Sequence, residues 1–86
     1  MLTSDQIRAA RALVRWSARE LAEAAKVSLP TIQRMEGVSG VPNAMASTMD
    51  AVQRALEGQG VVFIEPNGLG PGVRLRKDTE AGRRAP

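Results

Sequence analysis

The sequence contains no cysteine, histidine or tyrosine, and it has a single tryptophan and a single phenylalanine among its 86 residues. Without cysteine the chain can form neither disulfide bonds nor thiolate metal sites, which fits a reducing intracellular compartment. Without histidine it also lacks the commonest general base, and its acidic residues show no converging pair and no metal-ligand spacing. We therefore expect no enzymatic activity, no metal site and no cofactor.

Long hydrophobic runs are missing as well. The longest run outside the alanine-rich segments is Val61–Ile64, far short of a membrane span, and the N-terminus lacks the apolar stretch of a signal peptide. Aromatic residues make up 2% of the chain, so the core must consist of Ala, Val, Leu, Ile and Met, which favours closely packed helices over a β-sandwich. We expect one small domain, located in the cytoplasm.

The excess of positive charge is small, and residues 1–60 are nearly neutral. Residues 1–60 contain seven basic and six acidic residues, and residues 61–86 contain five basic and three acidic, which gives +1 and +2 respectively. Any surface that binds a polyanion must therefore be a local cluster of basic side chains, because the chain as a whole has little electrostatic field.

Residues 17–36 have the pattern of two short helices separated by a tight turn. Ser17 and Glu20 have the spacing of a capping box at the start of the first helix. Ser28 can cap the second, and Pro30 then falls in its first turn, where a missing N–H costs little. Gly37 follows the second helix, and we predict that it ends the helix in a left-handed conformation.

Flanking segments supply the partners that two such short helices need for stability. Apolar residues at helical spacing predict a helix from Ser4 to Arg15, and Thr3 and Gln6 have the spacing of a capping box at its start. The apolar spacing also predicts a later helix that opens at Ser47, with an extra turn possible at 43–46, and closes at Gly58 and Gly60. Beyond it, Val61–Ile64 and residues 73–76 predict a β-hairpin around a loop rich in glycine and proline. Residues 77–86 lack periodicity and apolar anchors, and we predict a disordered tail.

Residues 21–36 have the pattern Leu21-Ala22-x-x-Ala25-x-Val27-Ser28-x-x-Thr31-Ile32-x-Arg34-Met35-Glu36. This pattern resembles the helix-turn-helix of the Cro and lambda-type repressors, which are also called the XRE family. The resemblance covers about residues 7–60, and residues 60–76 resemble an extension found in small bacterial regulators of that family. It implies a mainly α, lambda-repressor-like helical bundle with a C-terminal β-hairpin. It also implies that Arg11 pairs with Glu36 and that residues 1–60 form the DNA-binding domain.

In such proteins the second helix of the motif, here residues 28–36, lies in the major groove of double-stranded DNA, while the first crosses the backbone. The resemblance thus implies a nucleoid-associated transcriptional regulator. By residue type, Gln33 can pair with adenine, and Arg34 with guanine or a phosphate. The candidate DNA-binding residues are Ser17, Arg19, Lys26, Ser28, Leu29, Pro30, Thr31, Gln33 and Arg34.

Three departures from the family pattern affect that interface. Ala18 replaces a glutamine that usually contacts the backbone of the DNA. Lys26 replaces the turn glycine, and must adopt a left-handed conformation at a cost of roughly 1 kcal/mol or else reshape the turn. Leu29 and Pro30 replace polar base readers, which predicts sparse base contacts and more dependence on DNA shape.

We expect a homodimer, because a two-fold dimer doubles the contacts with a pseudo-palindromic site. The residues predicted for its interface lie in the hairpin: Val61, Phe63, Ile64, Val73 and Leu75. No small-molecule ligand is expected. The alternative is a protein-interaction module, such as the antitoxin of a toxin–antitoxin pair, in which the tail would wrap a partner protein.

Overall fold

The computed structural model describes residues 2–65 and 68–76, in which four helices precede a two-stranded antiparallel sheet. The elements are α1 (Ser4–Leu13), α2 (Ala18–Ala25), α3 (Leu29–Glu36), α4 (Ala46–Glu57), β1 (Val61–Ile64) and β2 (Gly72–Leu75). The predicted mainly α architecture with a C-terminal hairpin is confirmed. The predicted tail, residues 77–86, lies outside the described residues. Within the described part, no helix has the length and apolar character needed to cross a membrane.

Side chains cap the first three helices. Thr3 and Gln6 form a capping box on α1, and Ser17 and Glu20 form one on α2, as their spacing predicts. At the start of α3 the Ser28 hydroxyl accepts a hydrogen bond from the backbone N–H of Thr31. Each cap satisfies donors that would otherwise lack a partner in the first turn.

Three predicted helix ends differ from the observed ones. α1 ends at Leu13, because Arg15 adopts a left-handed backbone with φ of 61° and turns the chain towards α2. α4 begins at Ala46, after a Met45 cap that makes no side-chain hydrogen bond, so Ser47 is inside the helix. Gly37 has φ of −92°, so the predicted left-handed end of α3 is wrong.

All four helices and β1 contribute to one hydrophobic core. Its buried members are Leu2, Ile7, Ala10, Leu21, Ala22, Ala25, Ile32, Met35, Met49, Val52, Leu56 and Val61. The helical pattern of residues 17–36 predicts that six residues face inward, and five of them are buried while Val27 is partly buried: Leu21, Ala22, Ala25, Val27, Ile32 and Met35. Aliphatic side chains and methionine fill this core, as the shortage of aromatic residues requires.

The hairpin packs against the helices through one face. In its register Val61 pairs with Leu75 and Phe63 with Val73, so these four side chains share one face of the sheet. Val61 is 3% exposed, and the other three pack against the core as partly buried residues. Ile64 belongs to the opposite face.

A buried glutamine joins α1 to the hairpin. Gln6 is 5% exposed, and its Nε2 donates hydrogen bonds to the carbonyl oxygens of Gly72 at 3.0 Å and Ile64 at 3.3 Å. Its Oε1 accepts from the backbone N–H of Thr3. One side chain therefore both caps α1 and holds the end of the hairpin where the two strands last pair.

Candidate functional site

The three residues between α2 and α3 form a tight connection. Lys26 has φ of 61° and ψ of 42°, which confirms that a lysine adopts the left-handed conformation at this turn. The backbone N–H of Val27 donates to the Ala22 carbonyl at 3.0 Å, and that of Lys26 to the Glu23 carbonyl at 3.3 Å. This Schellman pattern ends α2 and directs the chain into α3.

α3 has one buried side and one exposed side. Ile32 and Met35 are at most 1% exposed and belong to the core. Pro30, Gln33 and Arg34 are exposed, in agreement with their predicted outward position. α3 therefore presents a short polar and cationic surface to solvent.

Two other predicted contact residues on α3 are less available than expected. Leu29 is partly buried and packs against the core, so its prediction as an outward residue is wrong in part. The apolar side chain is drawn inwards because burial removes it from water. Thr31 is partly buried, and its hydroxyl oxygen lies 2.8 Å from that of Ser28. The Ser17 hydroxyl accepts from the N–H of Glu20 and keeps its own proton to donate to an anionic ligand.

The C-terminal end of α3 is fixed to α1. The Arg11 guanidinium donates from Nε to Oε2 of Glu36 at 2.9 Å and from Nη2 to Oε1 at 3.0 Å, as the resemblance implies. Arg8 donates to the backbone carbonyl of Glu36, and the Ser4 hydroxyl donates to that of Met35. These bonds hold one end of α3 rigidly and leave the exposed residues nearer its start unobstructed.

Basic residues on α2, α3 and their connection lack acidic partners. Within residues 2–65 and 68–76, no carboxylate forms an ion pair with Arg19, Lys26 or Arg34, and all three side chains are exposed. By contrast, Arg11 on α1 and Arg54 on α4 are paired with carboxylates. These three charges are available to an anionic ligand, although α2 also exposes the acidic residues Glu20 and Glu23.

Sequence reasoning missed one basic residue close to α2. Arg15 is exposed, lies two residues before the cap of α2, and has no ion pair among the described residues. The prediction made Arg15 the last residue of α1, which concealed the left-handed turn that Arg15 forms. No residue type at positions 14–16 signals that turn, because arginine is an unusual choice for a left-handed position.

The structure assigns most of the predicted dimer residues to the protein's own core. Val61, Phe63, Val73 and Leu75 face the helices, so they offer a second chain little surface. Their apolar character is explained by packing within one chain. Ile64 is the predicted interface residue that lies on the outer face of the hairpin.

The described residues offer no site for a metal. Nowhere in residues 2–65 and 68–76 do three or more Asp or Glu side chains gather as possible ligands. The exposed residues of α3 and of its connection to α2 include hydrogen-bond donors and two basic side chains, Lys26 and Arg34. Such groups suit an anionic ligand.

Comparison with known proteins does not assign this chain to a family. No protein-family model matches this chain, and no curated protein matches its sequence significantly.

Proposed function

We propose that this protein is a sequence-specific DNA-binding transcriptional regulator. In this proposal α2 and α3 form a helix-turn-helix within a lambda-repressor-like bundle, and the protein belongs to the XRE family. α3 enters the major groove with its exposed side towards the bases, and α2 lies across the DNA backbone. Gln33 and Arg34 supply base contacts, while Arg19 and Lys26 contact phosphates.

The observation that carries the proposal is the division of α3 into an anchored and an exposed side. Its buried side packs in the core, and Glu36 at its end is bound by Arg11. Its exposed side carries Gln33 and Arg34, two side chains with the donors that recognise base edges. A rigidly held helix with a free polar face is what base recognition requires, since contacts must be made in a fixed register.

The protein would bind as a homodimer through the hairpin. A two-stranded sheet has open edges, and pairing an edge across a two-fold axis would satisfy its backbone groups. Because the inner face of the hairpin is used within the chain, the contact would involve the strand edge and outer-face residues such as Ile64. Each recognition helix would then read one half of a pseudo-palindromic site.

Selection of bound duplexes from a random DNA pool tests the proposal. We expect enrichment of one pseudo-palindromic sequence. The affinity for it should fall steeply between about 50 and 200 mM salt, because phosphate contacts release counterions from the DNA. No enrichment over the starting pool would contradict the proposed function.

A protein-interaction module, such as an antitoxin, is the second candidate. The segment between α3 and α4 exposes three apolar side chains, with Val38 at 42%, Val41 at 48% and Met45 at 73%. Neighbouring exposed apolar residues are a feature of protein-binding surfaces. A toxin-like gene next to this one, and co-purification of its product, would favour this candidate.

A further inference from the structure

Both ends of α2 carry a basic residue in a conformation that basic residues disfavour. In the described part of the chain, only two residues other than glycine have positive φ: Arg15 before α2 and Lys26 after it, both at 61°. Both side chains are exposed, and neither forms an ion pair with a described residue.

The hydrogen bonds at the two positions are the same. The N–H of Arg15 donates to the Ala12 carbonyl, and that of Trp16 to the Arg11 carbonyl, both at 3.0–3.1 Å. Lys26 and Val27 repeat this pattern at the end of α2. Each basic residue thus occupies the left-handed position of a Schellman motif, where glycine is usual because a Cβ atom raises the energy.

Packing does not explain either residue. An exposed side chain without a partner contributes little to stability, so glycine or asparagine at each position would suit folding better. An exposed residue that opposes local stability and forms no ion pair with the described residues is a sign of function. The feature common to both residues is a positive charge at an end of α2.

We propose that Arg15 and Lys26 are two phosphate-binding residues that grip the DNA backbone on either side of α2, and that their backbone strain is retained for this charge. The inference rests on the proposed function and adds Arg15 to the interface. α2 has eight residues and so is about 12 Å long, several times the spacing of roughly 3.4 Å per phosphate along one DNA strand, so the two residues can contact different phosphates. These contacts carry no sequence information, so they should support binding to any duplex.

The test combines thermal unfolding with DNA binding for Arg15→Gly, Lys26→Gly and their asparagine counterparts. Each variant should unfold at a higher temperature, by roughly 4 °C, because strain is relieved. Each should also bind a short mixed-sequence duplex about tenfold more weakly, with the slope of log affinity against log salt reduced by about one. Asparagine accepts the left-handed conformation but is less flexible than glycine. If the glycine and asparagine variants lose the same DNA affinity, greater flexibility of the loop is not the cause of the weaker binding.

Arg54→Gln is the control for the loss of one charge, because Arg54 is also exposed but lies on α4, which the proposal does not place against DNA or in the dimer contact. It removes one charge and should leave the salt slope unchanged. Arg15→Lys and Lys26→Arg should keep wild-type binding. If the wild type binds DNA and the glycine variants bind equally well with the same slope, this inference fails while the proposed function stands. If the wild type binds no duplex, both fail.

Discussion

Arg11 and Glu36 form a bidentate ion pair that ties α3 to α1. Glu36 is 9% exposed at its side chain and Arg11 26%, so the pair is largely removed from water. Arg11 also donates from Nη1 to the carbonyl oxygen of Trp16 at 3.1 Å. One guanidinium therefore fixes the end of α3 and the connection that leads into α2, and so it sets how the two helices are oriented on the core.

Glu36→Gln should lower the free energy of unfolding by about 1–3 kcal/mol, because it leaves the Arg11 guanidinium with an uncharged partner in a poorly solvated position. Arg11→Met should have a similar effect. In the double variant the two losses should overlap by at least ~1 kcal/mol, because both remove the same interaction. Urea denaturation of the four proteins gives this coupling energy.

The exposed pair of Arg54 and Asp50 provides the control. Its side chains are 77% and 56% exposed, so Arg54→Gln should change stability by no more than about 0.5 kcal/mol. Additive effects of the Arg11 and Glu36 substitutions would contradict the role given to their pair.

The sequence was sufficient to predict that the four helices form, because helix formation depends on local sequence patterns. The capping boxes at Thr3 and Ser17 and the apolar spacing of α2 and α3 are short-range signals, and the structure confirms them. The strain at Lys26 was predictable because the resemblance places a glycine there. The pairing of Arg11 with Glu36 likewise came from the resemblance, since 25 residues separate the two in sequence.

Features that depend on tertiary contacts were not predictable. The Gln6 side chain bonds to residues 58 and 66 positions away, and nothing in the local sequence identifies them. The alternation of apolar and basic residues in β2 indicated a half-exposed strand. It did not show whether the apolar side chains pack against the helices of the same chain or against a second chain. The left-handed turn at Arg15 was not predicted, because the predicted first helix continued two residues beyond Leu13, where α1 ends.

Gln6→Glu should weaken the attachment of the hairpin to α1. The substitution keeps an oxygen for the N–H of Thr3 but replaces the donor to the Ile64 and Gly72 carbonyls with a buried acceptor. We expect a loss of about 1–3 kcal/mol, because the carbonyls lose their donor and face a group they repel. Hydrogen exchange should show faster exchange in β1 and β2. Gln33→Glu, at an exposed position, should leave hairpin exchange at the wild-type rate.

Gln33→Ala should relax sequence preference without abolishing binding. If Gln33 forms a bidentate contact with adenine, its loss should reduce discrimination at one base pair by about tenfold or more. Binding to the selected site and to its single-base variants measures this. Gln53→Ala on α4 is the control, because Gln53 bonds to Glu57 on its own helix and should not influence DNA sequence preference. Unchanged discrimination in the Gln33 variant would remove this residue from the reading surface.

Ile64→Lys should convert the proposed dimer into a monomer. Phe63, also predicted for the interface, packs against the core, so a charge there would destabilise the fold whether or not the protein dimerises. Ile64 lies on the outer face of the hairpin, next to Gly72 on β2. Gly72 has no side chain, but a Cβ atom placed there would lie 3.6 Å from Cδ1 of Ile64. A lysine there can extend into water in a monomer but not in a strand-paired dimer.

Light scattering should give the monomer mass for Ile64→Lys and the dimer mass for Leu69→Lys, whose site in the hairpin loop is 94% exposed. A dimer that persists in the folded Ile64 variant would place the interface elsewhere.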